Sequence, residues 1–233
     1  MRTEPAGNGR PSDIAALLRE LEGLPPDWHG SGLLTVAALR GIARHAAGGL
    51  RSSAETGSGR SSLLLSHLSA HHTIFSVDGA GSLTRVRTSP MLRAGSVHIV
   101  EGASQITLRD FRPERPLDLV LLDGSHAYPV PEIDYFHLYP HLSSGGLLIV
   151  DDIHIPTIRN MFRFLREDAM FTLVEVAGHT AFFRRTNVKT FDPLFGNWFE
   201  QGYNARHFPP IERLKQRIPP PIRARLKRLL RRP

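Results

Sequence analysis

Two short apolar runs stand out in the middle of the chain, and neither alternates with polar residues. They are Leu119–Leu122 and Leu147–Val150. Such runs are typical of strands buried on both faces, as in the interior of a parallel sheet. A helix predicted over about Pro131–Leu142 separates them, and the turn residues Ser143–Gly146 end it. The pattern therefore predicts a β-α-β unit, whose right-handed crossover places both strand ends at the same edge of the sheet.

The same hydrophobic periodicity predicts elements on either side of this unit. Before it we expect helices at Ile14–Leu21 and about Leu33–Ala47, a strand ending at Glu55, a helix starting near Ser61, strands at Thr73–Val77 and Val97–Val100, and a helix reaching about Phe111. After it we expect a helix over about Pro156–Arg166 and strands at Phe171–Val176 and Thr180–Arg184. The last two strands are joined by three residues that include Gly178, which is a hairpin signal. The predicted fold class is α/β, with a doubly wound, seven-stranded, mostly parallel sheet that ends in an antiparallel hairpin.

Acidic residues follow both strands of the central unit. Asp123 ends the first, and Asp151 and Asp152 end the second, while His126 comes three residues after Asp123. Ligands of open α/β sheets bind at the carboxyl edge of the strands. We therefore expect chemistry here, although Asp123 could serve a plain turn and the Asp151–Asp152 pair a helix cap.

A glycine-rich turn follows the first predicted strand. Its residues are Glu55, Thr56, Gly57, Ser58 and Gly59, and Ser62 stands where a dinucleotide fingerprint would have its third glycine. The acid two positions before the first glycine suits a cationic ligand better than a pyrophosphate. Asp78 comes 23 positions after Glu55 at the end of the next strand, where an acid can bind the hydroxyls of a ribose. Without a ligand, such glycines would make only a tight turn. His71 and His72, which precede that strand, are interpreted as surface residues.

Charge and composition narrow the class of protein. The formal net charge is +7, but nine Lys or Arg and no acid lie between Arg213 and Arg232, so the remainder carries −2. The basic character therefore belongs to an appendage and does not indicate that the main domain binds nucleic acid. The 233 residues contain no Cys, no apolar run of 18 residues and no N-terminal signal-peptide pattern. We expect a cytoplasmic protein without disulfides or thiolate metal sites.

Taken together, these residues and the order of the elements resemble a class I S-adenosylmethionine-dependent methyltransferase with its Rossmann-like fold, over about residues 33–186. The resemblance implies that Glu55, Gly57 and Gly59 hold the methionine end of the cofactor and that Asp78 holds the ribose. It also implies that the segment from Gly102 to Ser104 lies along the adenine, with Ser104 where an Asp is common. The predicted cofactor site is completed by Thr56, Ser58 and Asp123.

A narrower resemblance is to the metal-dependent O-methyltransferases of the catechol and macrolide-sugar types. Those enzymes bind one Mg²⁺ through an acid after the fourth strand and two adjacent residues 28 and 29 positions later, the spacing that Asp151 and Asp152 have from Asp123. They carry a base three residues after the first acid, a position that His126 occupies as it does in the sugar type. Asp151 departs from that type, which usually has Glu there. The resemblance implies that Asp123, Asp151 and Asp152 bind the metal and that Asp123 and His126 are catalytic, with His154 as the rival base.

Three segments outside the domain have predictions of their own. Residues 1–32 include Trp28–Gly32, interpreted as a lid or as a loop with one anchoring aromatic. Residues 187–210 form an aromatic flap that packs on the domain or on a second subunit, since homodimers are common in the family. Residues 211–233 form a basic amphipathic tail that either contacts an anionic membrane or stays solvated.

The predicted function is Mg²⁺-assisted transfer of a methyl group to a hydroxyl of a small molecule, a sugar or a glycosylated natural product above all. Four alternatives stay open at this point. They are a metal-independent methyltransferase, an oxidation enzyme of the cephalosporin-hydroxylase-like type, a non-catalytic cofactor-binding or membrane-recruited partner protein, and a Rossmann dehydrogenase, which Ser62 and the terminal hairpin disfavour.

Overall fold

The structure of the chain is a computed structural model that describes residues 14–28, 30, 33–209, 211–212, 214, 218–219 and 221–223. Most of the predicted basic tail and part of the predicted lid therefore lie outside the described residues. Among the helices that are described, none is both long and apolar enough to cross a membrane.

One seven-stranded sheet forms the centre of the fold. Its strands are β1 (Leu50–Thr56), β2 (Ser69–Ser76), β3 (Val97–Glu101), β4 (Leu117–Leu122), β5 (Leu142–Val150), β6 (Phe171–Ala177) and β7 (Thr180–Arg185). Their order across the sheet is β3-β2-β1-β4-β5-β7-β6, parallel from β3 to β5, with β7 antiparallel to both neighbours. The predicted mostly parallel sheet and its terminal hairpin are confirmed.

Helices cover both faces of this sheet. They are α1 (Ile14–Glu22), α2 (Val36–His45), α3 (Arg60–Leu68), α4 (Ser82–Thr88), α5 (Ser104–Thr107), α6 (Val130–Leu138), α7 (Pro156–Glu167) and α8 (Gly202–His207). Apolar residues of α1 to α4 pack on one face against β4 residues such as Leu119 and Leu121. Helices α6 and α7 pack on the other face against the alternate residues Val120 and Leu122. Because β4 is buried on both faces, its apolar residues need not alternate with polar ones.

Two elements differ from the prediction. Strand β5 starts at Leu142 and runs through Ser143–Gly146, which were expected to be a turn; the first residues of this stretch are polar because they reach the solvent-exposed end of the strand. Strand β2 starts at Ser69, so His71 and His72 lie within it. His71 is exposed as expected, but the prediction for His72 is wrong, because its side chain is only 1% exposed beneath α3.

The topology locates the site. Strands β1 and β4 are neighbours at the centre of the sheet. The chain continues from β1 to β2 on one side and from β4 to β5 on the other, so the two connections run in opposite directions. Ligands bind in the crevice at such a switch point, outside the carboxyl ends of the strands. The glycine turn after β1 and the acid after β4 meet at this crevice.

Candidate active site

A cavity of about 640 Å³ opens at the carboxyl ends of β1, β2, β4 and β5. Its wall comprises the glycine turn, the ends of β2 and β4, the start of α5, the Asp151–Asp152 pair and, from the N-terminal side, Leu33 and Leu34. This volume is within the range of small-molecule and cofactor sites.

Gly57 joins the two central strands at the floor of the cavity. Its backbone has φ +85°, and a Cβ at this position would lie 2.0 Å from the carbonyl oxygen of Asp123. Its N–H donates to the carbonyl of Phe75 at 2.9 Å, which holds the turn against β2. Only glycine allows both the left-handed conformation and this close approach.

Glu55 lies beneath the turn, outside the cavity wall. Its side chain is 1% exposed and accepts hydrogen bonds from the hydroxyls of Ser61, at 2.8 Å, and Ser62. The Ser62 hydroxyl also accepts the N–H of Gly59 at 3.0 Å. The residue that replaces the third fingerprint glycine thus bonds the acid to the turn. The predicted contact between Glu55 and the cofactor stays a prediction, since the carboxylate is directed at these hydroxyls.

Asp78, the predicted ribose ligand, is exposed beside the cavity, between the wall residues Val77 and Gly79. Its carboxylate accepts the hydroxyl of Thr84 at 2.6 Å and the Thr84 N–H at 3.0 Å. These bonds lower the pKa of Asp78, chiefly through the hydroxyl, and keep the side chain in one orientation at the start of α4.

The predicted adenine segment lies where β3 runs into α5. Ser104 lines the cavity and Gly102, at φ +146°, donates its N–H to the carbonyl of Ser76 at 2.9 Å. Behind Ser104 lies a residue that the sequence analysis missed, Asp134 of α6, which is 1% exposed. Burial raises the pKa of Asp134 to about 6, against the opposite effect of the hydroxyls of Ser104 and Thr56.

The acids after β4 and β5 converge with His126. One ligand atom from each of Asp123, His126 and Asp152 lies within 4.8 Å of the others. His126 Nε2 is 3.3 Å from Asp152 Oδ2 and 3.8 Å from Asp123 Oδ1, and it has no hydrogen-bond partner of good geometry among the described residues. The rival base His154 has Nδ1 at 3.5 Å from the other oxygen of Asp152 and is 48% exposed, away from Asp123.

Asp151 and Asp152 are placed differently although they are adjacent. Asp151 is 7% exposed and its Oδ1 accepts a hydrogen bond from Thr180 of β7, which leaves Oδ2 as its second oxygen. Asp152 has a left-handed backbone, with φ 54°, and a side chain that is 27% exposed. Asp and Asn are the non-glycine residues best suited to this conformation. Both acids line the cavity, but only Asp152 belongs to the three-residue cluster with Asp123 and His126.

The electrostatics of the cluster favour a positive ligand. Burial, followed by the neighbouring acids Asp151 and Asp152, raises the pKa of Asp123 to about 7 against the opposing effect of His126. Burial also raises the pKa of Asp151. The pKa of His126 is raised, most of all by Asp123. Carboxylates that share a site in this way repel one another, and a cation among them relieves the repulsion.

The N-terminal segment closes one side of the cavity through a residue that was not predicted. Arg60, at the start of α3, is 6% exposed and donates hydrogen bonds to the carbonyls of Leu21 at 3.1 Å and Leu34 at 2.9 Å. It thereby fixes α1 and the segment before α2 beside the glycine turn. Gly30, from the segment predicted to be a lid, lies directly against Ala80. The sequence offered only an arginine at the start of a serine- and leucine-rich helix, which does not reveal this contact.

The aromatic segment after the sheet packs away from the cavity. The ring of Tyr203 in α8 lies 5.1 Å from that of Phe164 in α7, whereas Phe195 is 90% exposed. The domain boundaries assigned from the sequence stay predictions.

Comparison with known proteins agrees with this geometry. Residues 54–153 match the family model described as a methyltransferase domain. No curated protein sequence matches the chain. The match spans β1 to the end of β5 and so includes the glycine turn and all three acids.

Three solved structures are similar to the chain. A candidate caffeoyl-CoA O-methyltransferase from Staphylococcus aureus has a TM-score of 0.55 at 15% identity, covering 75% of this chain and 92% of that one. The O-methyltransferase TomG from Streptomyces achromogenes, in complex with S-adenosylmethionine, has a TM-score of 0.53 at 17% identity, covering 78% and 91%. An O-methyltransferase from Bacillus cereus, in complex with S-adenosylhomocysteine, has a TM-score of 0.50 at 12% identity, covering 77% and 92%. At these identities the likeness establishes the fold.

The chain therefore carries a methyltransferase domain over residues 54–153, in the fold that it shares with the solved O-methyltransferases. The cavity at the switch point of its sheet is where this fold offers a place for the cofactor.

Proposed function

We propose that the protein is a Mg²⁺-assisted O-methyltransferase that acts on a hydroxylated small molecule, with a sugar or glycosylated natural product as the expected acceptor. The observation that carries the proposal is the Asp123–His126–Asp152 cluster, which lies on the wall of the same cavity as the glycine turn. A methyltransferase that used only the cofactor would have no need to gather repelling carboxylates beside a histidine.

The donor set fits a hard divalent cation. Asp123 and Asp152 offer carboxylate oxygens, Asp151 offers its second oxygen, and the chain has no Cys. Oxygen donors favour Mg²⁺, with Mn²⁺ as a close substitute. When bound, the cation would lower the pKa of an acceptor hydroxyl and fix its oxygen near the cofactor.

The residues of the chain have separate tasks in this reaction. S-adenosylmethionine supplies an electrophilic methyl group, so the protein must orient the acceptor oxygen and take up one proton. The glycine turn and Ser104 bind the cofactor along the cavity wall. His126 Nε2, which has no committed partner among the described residues, accepts the proton of the acceptor hydroxyl. For this His126 must be neutral; Asp123, followed by Asp152, raises the pKa of His126, and a cation bound by these acids would oppose that rise.

The acceptor class rests on the resemblance in the loop after β4. The sequence Asp123-Gly-Ser-His126 carries the histidine typical of the macrolide-sugar enzymes where the catechol enzymes carry lysine. Tyr128, which follows in the same loop, is 71% exposed and offers an aromatic face to a sugar ring.

The test combines binding with turnover. S-adenosylhomocysteine is titrated calorimetrically into the full chain with and without Mg²⁺, and methyl transfer is then measured on a panel of hydroxylated sugars with chelator or Mg²⁺. We expect micromolar binding of S-adenosylhomocysteine and a turnover that chelator abolishes and Mg²⁺ restores. Full activity of Asp123→Ala in chelator would refute the role of the metal and leave a metal-independent methyltransferase. Absence of S-adenosylhomocysteine binding would refute the proposed function.

A further inference from the structure

A chain of hydrogen-bonded polar side chains lies beneath the glycine turn, on the sheet face that α3 covers. Its members are at most 3% exposed and come from three adjacent elements: Ser53 and Glu55 of β1, Ser61 and Ser62 of α3, and Ser69 and His72 of β2. Around them the face is apolar, formed by residues such as Leu64 and Ile74. Polar groups buried in such surroundings are costly unless they are hydrogen-bonded to one another.

His72 is the centre of this chain because both of its ring nitrogens are engaged. Its Nδ1 is 2.8 Å from the hydroxyl of Ser53, which in turn is 2.5 Å from the hydroxyl of Ser69. Its Nε2 is 3.1 Å from Glu55 Oε1. With the proton on Nε2, the ring donates to the carboxylate oxygen of Glu55, and Nδ1 accepts from the Ser53 hydroxyl on the other side.

The chain continues from Glu55 to the cofactor turn. Each carboxylate oxygen accepts a serine hydroxyl of α3, Oε2 that of Ser61 and Oε1 that of Ser62. Ser62 also accepts the backbone N–H of Gly59, the last residue of the turn. The position of the turn is thus connected through Ser62 and Glu55 to His72, although neither Glu55 nor His72 is on the cavity wall.

We propose that His72 is a positioning residue for the cofactor: it orients Glu55, and through Ser62 it fixes Gly59 and the turn that receives the methionine end of S-adenosylmethionine. The proposal rests on the cofactor site assigned above. It explains why a histidine occupies a buried position of β2. It also explains why an acid that does not face the cavity follows the pattern of a cofactor ligand.

Replacement of His72 by Phe fills the space but leaves Glu55 without one of its donors. A carboxylate that loses a buried partner rearranges, and we expect the dissociation constant of S-adenosylhomocysteine to rise about 10-fold or more. His72→Gln restores an amide donor near the position of Nε2 and should recover most of the affinity. The matched control is His71→Phe, the same change at the exposed neighbouring position of β2, which should leave the affinity unchanged.

The experiment is calorimetric titration of S-adenosylhomocysteine into the four full-length proteins, with Mn²⁺ binding and thermal unfolding measured on the same samples. Because the proposed metal ligands follow β4 and β5, away from His72, Mn²⁺ affinity should be equal in all four proteins and reports that each variant is folded. A purely structural His72 would lower the melting temperature and leave the affinity of the folded protein for S-adenosylhomocysteine unchanged, and that result would overturn the proposal. Failure of the wild-type chain to bind S-adenosylhomocysteine would instead overturn the proposed function.

If His72→Phe does not fold, the smaller replacement His72→Ala, which also removes the donor to Glu55, is combined with Ser62→Ala to carry the test. Residues that act along one hydrogen-bonded chain have non-additive effects. The double variant should therefore lose less affinity than the product of the two single losses, whereas losses that multiply would show that the two residues act independently and overturn the proposal.

Discussion

Acidic residues lie near the strand ends in two regions beside the cavity, and their surroundings differ in the two regions. Near the end of β1, the Glu55 side chain is 1% exposed and accepts hydrogen bonds from two serines and a histidine. After β4 and β5, the side chains of Asp123 and Asp152 are 26% and 27% exposed and lie beside a histidine nitrogen without a good partner. The first carboxylate is hydrogen-bonded within the protein, whereas the other two lie on the cavity wall, where we propose that a cation binds.

The difference originates in what packs over each strand end. Helix α3 begins directly after the glycine turn and places Ser61 and Ser62 over Glu55, so the acid becomes part of the framework. The loop after β4 instead places Gly124, Ser125 and His126 along the cavity, and these leave the carboxylates facing open space. Acidic residues near the carboxyl ends of the strands are therefore either enclosed by hydrogen bonds or left on the cavity wall, according to what packs over them.

Gly57 connects both regions, and its replacement should have the largest effect. In Gly57→Ala a methyl group would collide with the Asp123 carbonyl in a backbone conformation that alanine disfavours. We expect a loss of at least about 3 kcal/mol in the free energy of unfolding, together with loss of both S-adenosylhomocysteine and Mn²⁺ binding. Gly48→Ala, where a Cβ meets nothing within 4 Å, is the control in denaturant unfolding and should be neutral. If only one of the two ligands were lost, the two regions would be less tightly coupled than the structure indicates.

Two single substitutions, one in each region, should affect the binding of different ligands. Asp152→Asn should weaken Mn²⁺ binding about 100-fold and leave S-adenosylhomocysteine binding nearly unchanged, because it removes a charged ligand of the cation alone. Glu55→Gln should do the reverse, with about a 10-fold loss for S-adenosylhomocysteine. Both affinities are measured by calorimetry, and Asp110→Asn, an exposed acid far from either region, should change neither. Equal effects of the two variants on both ligands would contradict the comparison.

The pH dependence of stability should distinguish the acids of the proposed metal site from the other buried acids. The pKa of Asp123 is raised to about 7 in the folded chain, above its unfolded value, so its protonated form favours folding. This contribution is present below about pH 4 and lost as the pH rises through 7, and the raised pKa of His126 acts in the same direction. We expect the melting temperature of the metal-free protein to fall by about 8 °C between pH 5 and pH 8, beyond the change in Asp123→Asn. Saturating Mg²⁺ at pH 8 should reverse the fall, and a fall that Mg²⁺ leaves unchanged would argue against a metal site.

The smallest expected effect on stability comes from Asp134, an acid that is buried within the protein. Its pKa of about 6 also exceeds the unfolded value, so stability should decline as the pH rises from about 4 through 6. Because Asp134 is buried behind Ser104, Mg²⁺ should not alter this decline. Over this pH range the melting temperature of Asp134→Asn should fall by about 5 °C less than that of the wild type, with or without metal. A decline in the wild type that Mg²⁺ removes entirely would mean that Asp134 makes no separate contribution.

Much of the fold and part of the site could be predicted from local patterns. Unbroken apolar runs such as Leu119–Leu122 signal strands buried on both faces, and Gly178 signals the hairpin, whose observed turn is the two residues between Ala177 and Thr180. The positions of Asp123, Asp151 and Asp152 relative to these strands then place the acids at one edge. Their convergence follows from parallel pairing of β4 and β5, which the sequence pattern already implies.

The sequence by itself therefore determined the order of the elements, the glycine turn and the edge of the sheet at which the acids gather, since each depends on residues close together in the chain. Only the tertiary structure decided that Glu55 turns toward α3, that His72 is buried, that Asp134 supports Ser104 and that Arg60 fastens the N-terminal segment. Those contacts join residues from different elements across the sheet. Hydrophobic periodicity reports whether a position is buried, but which polar group meets which is set by how the helices pack on the strands.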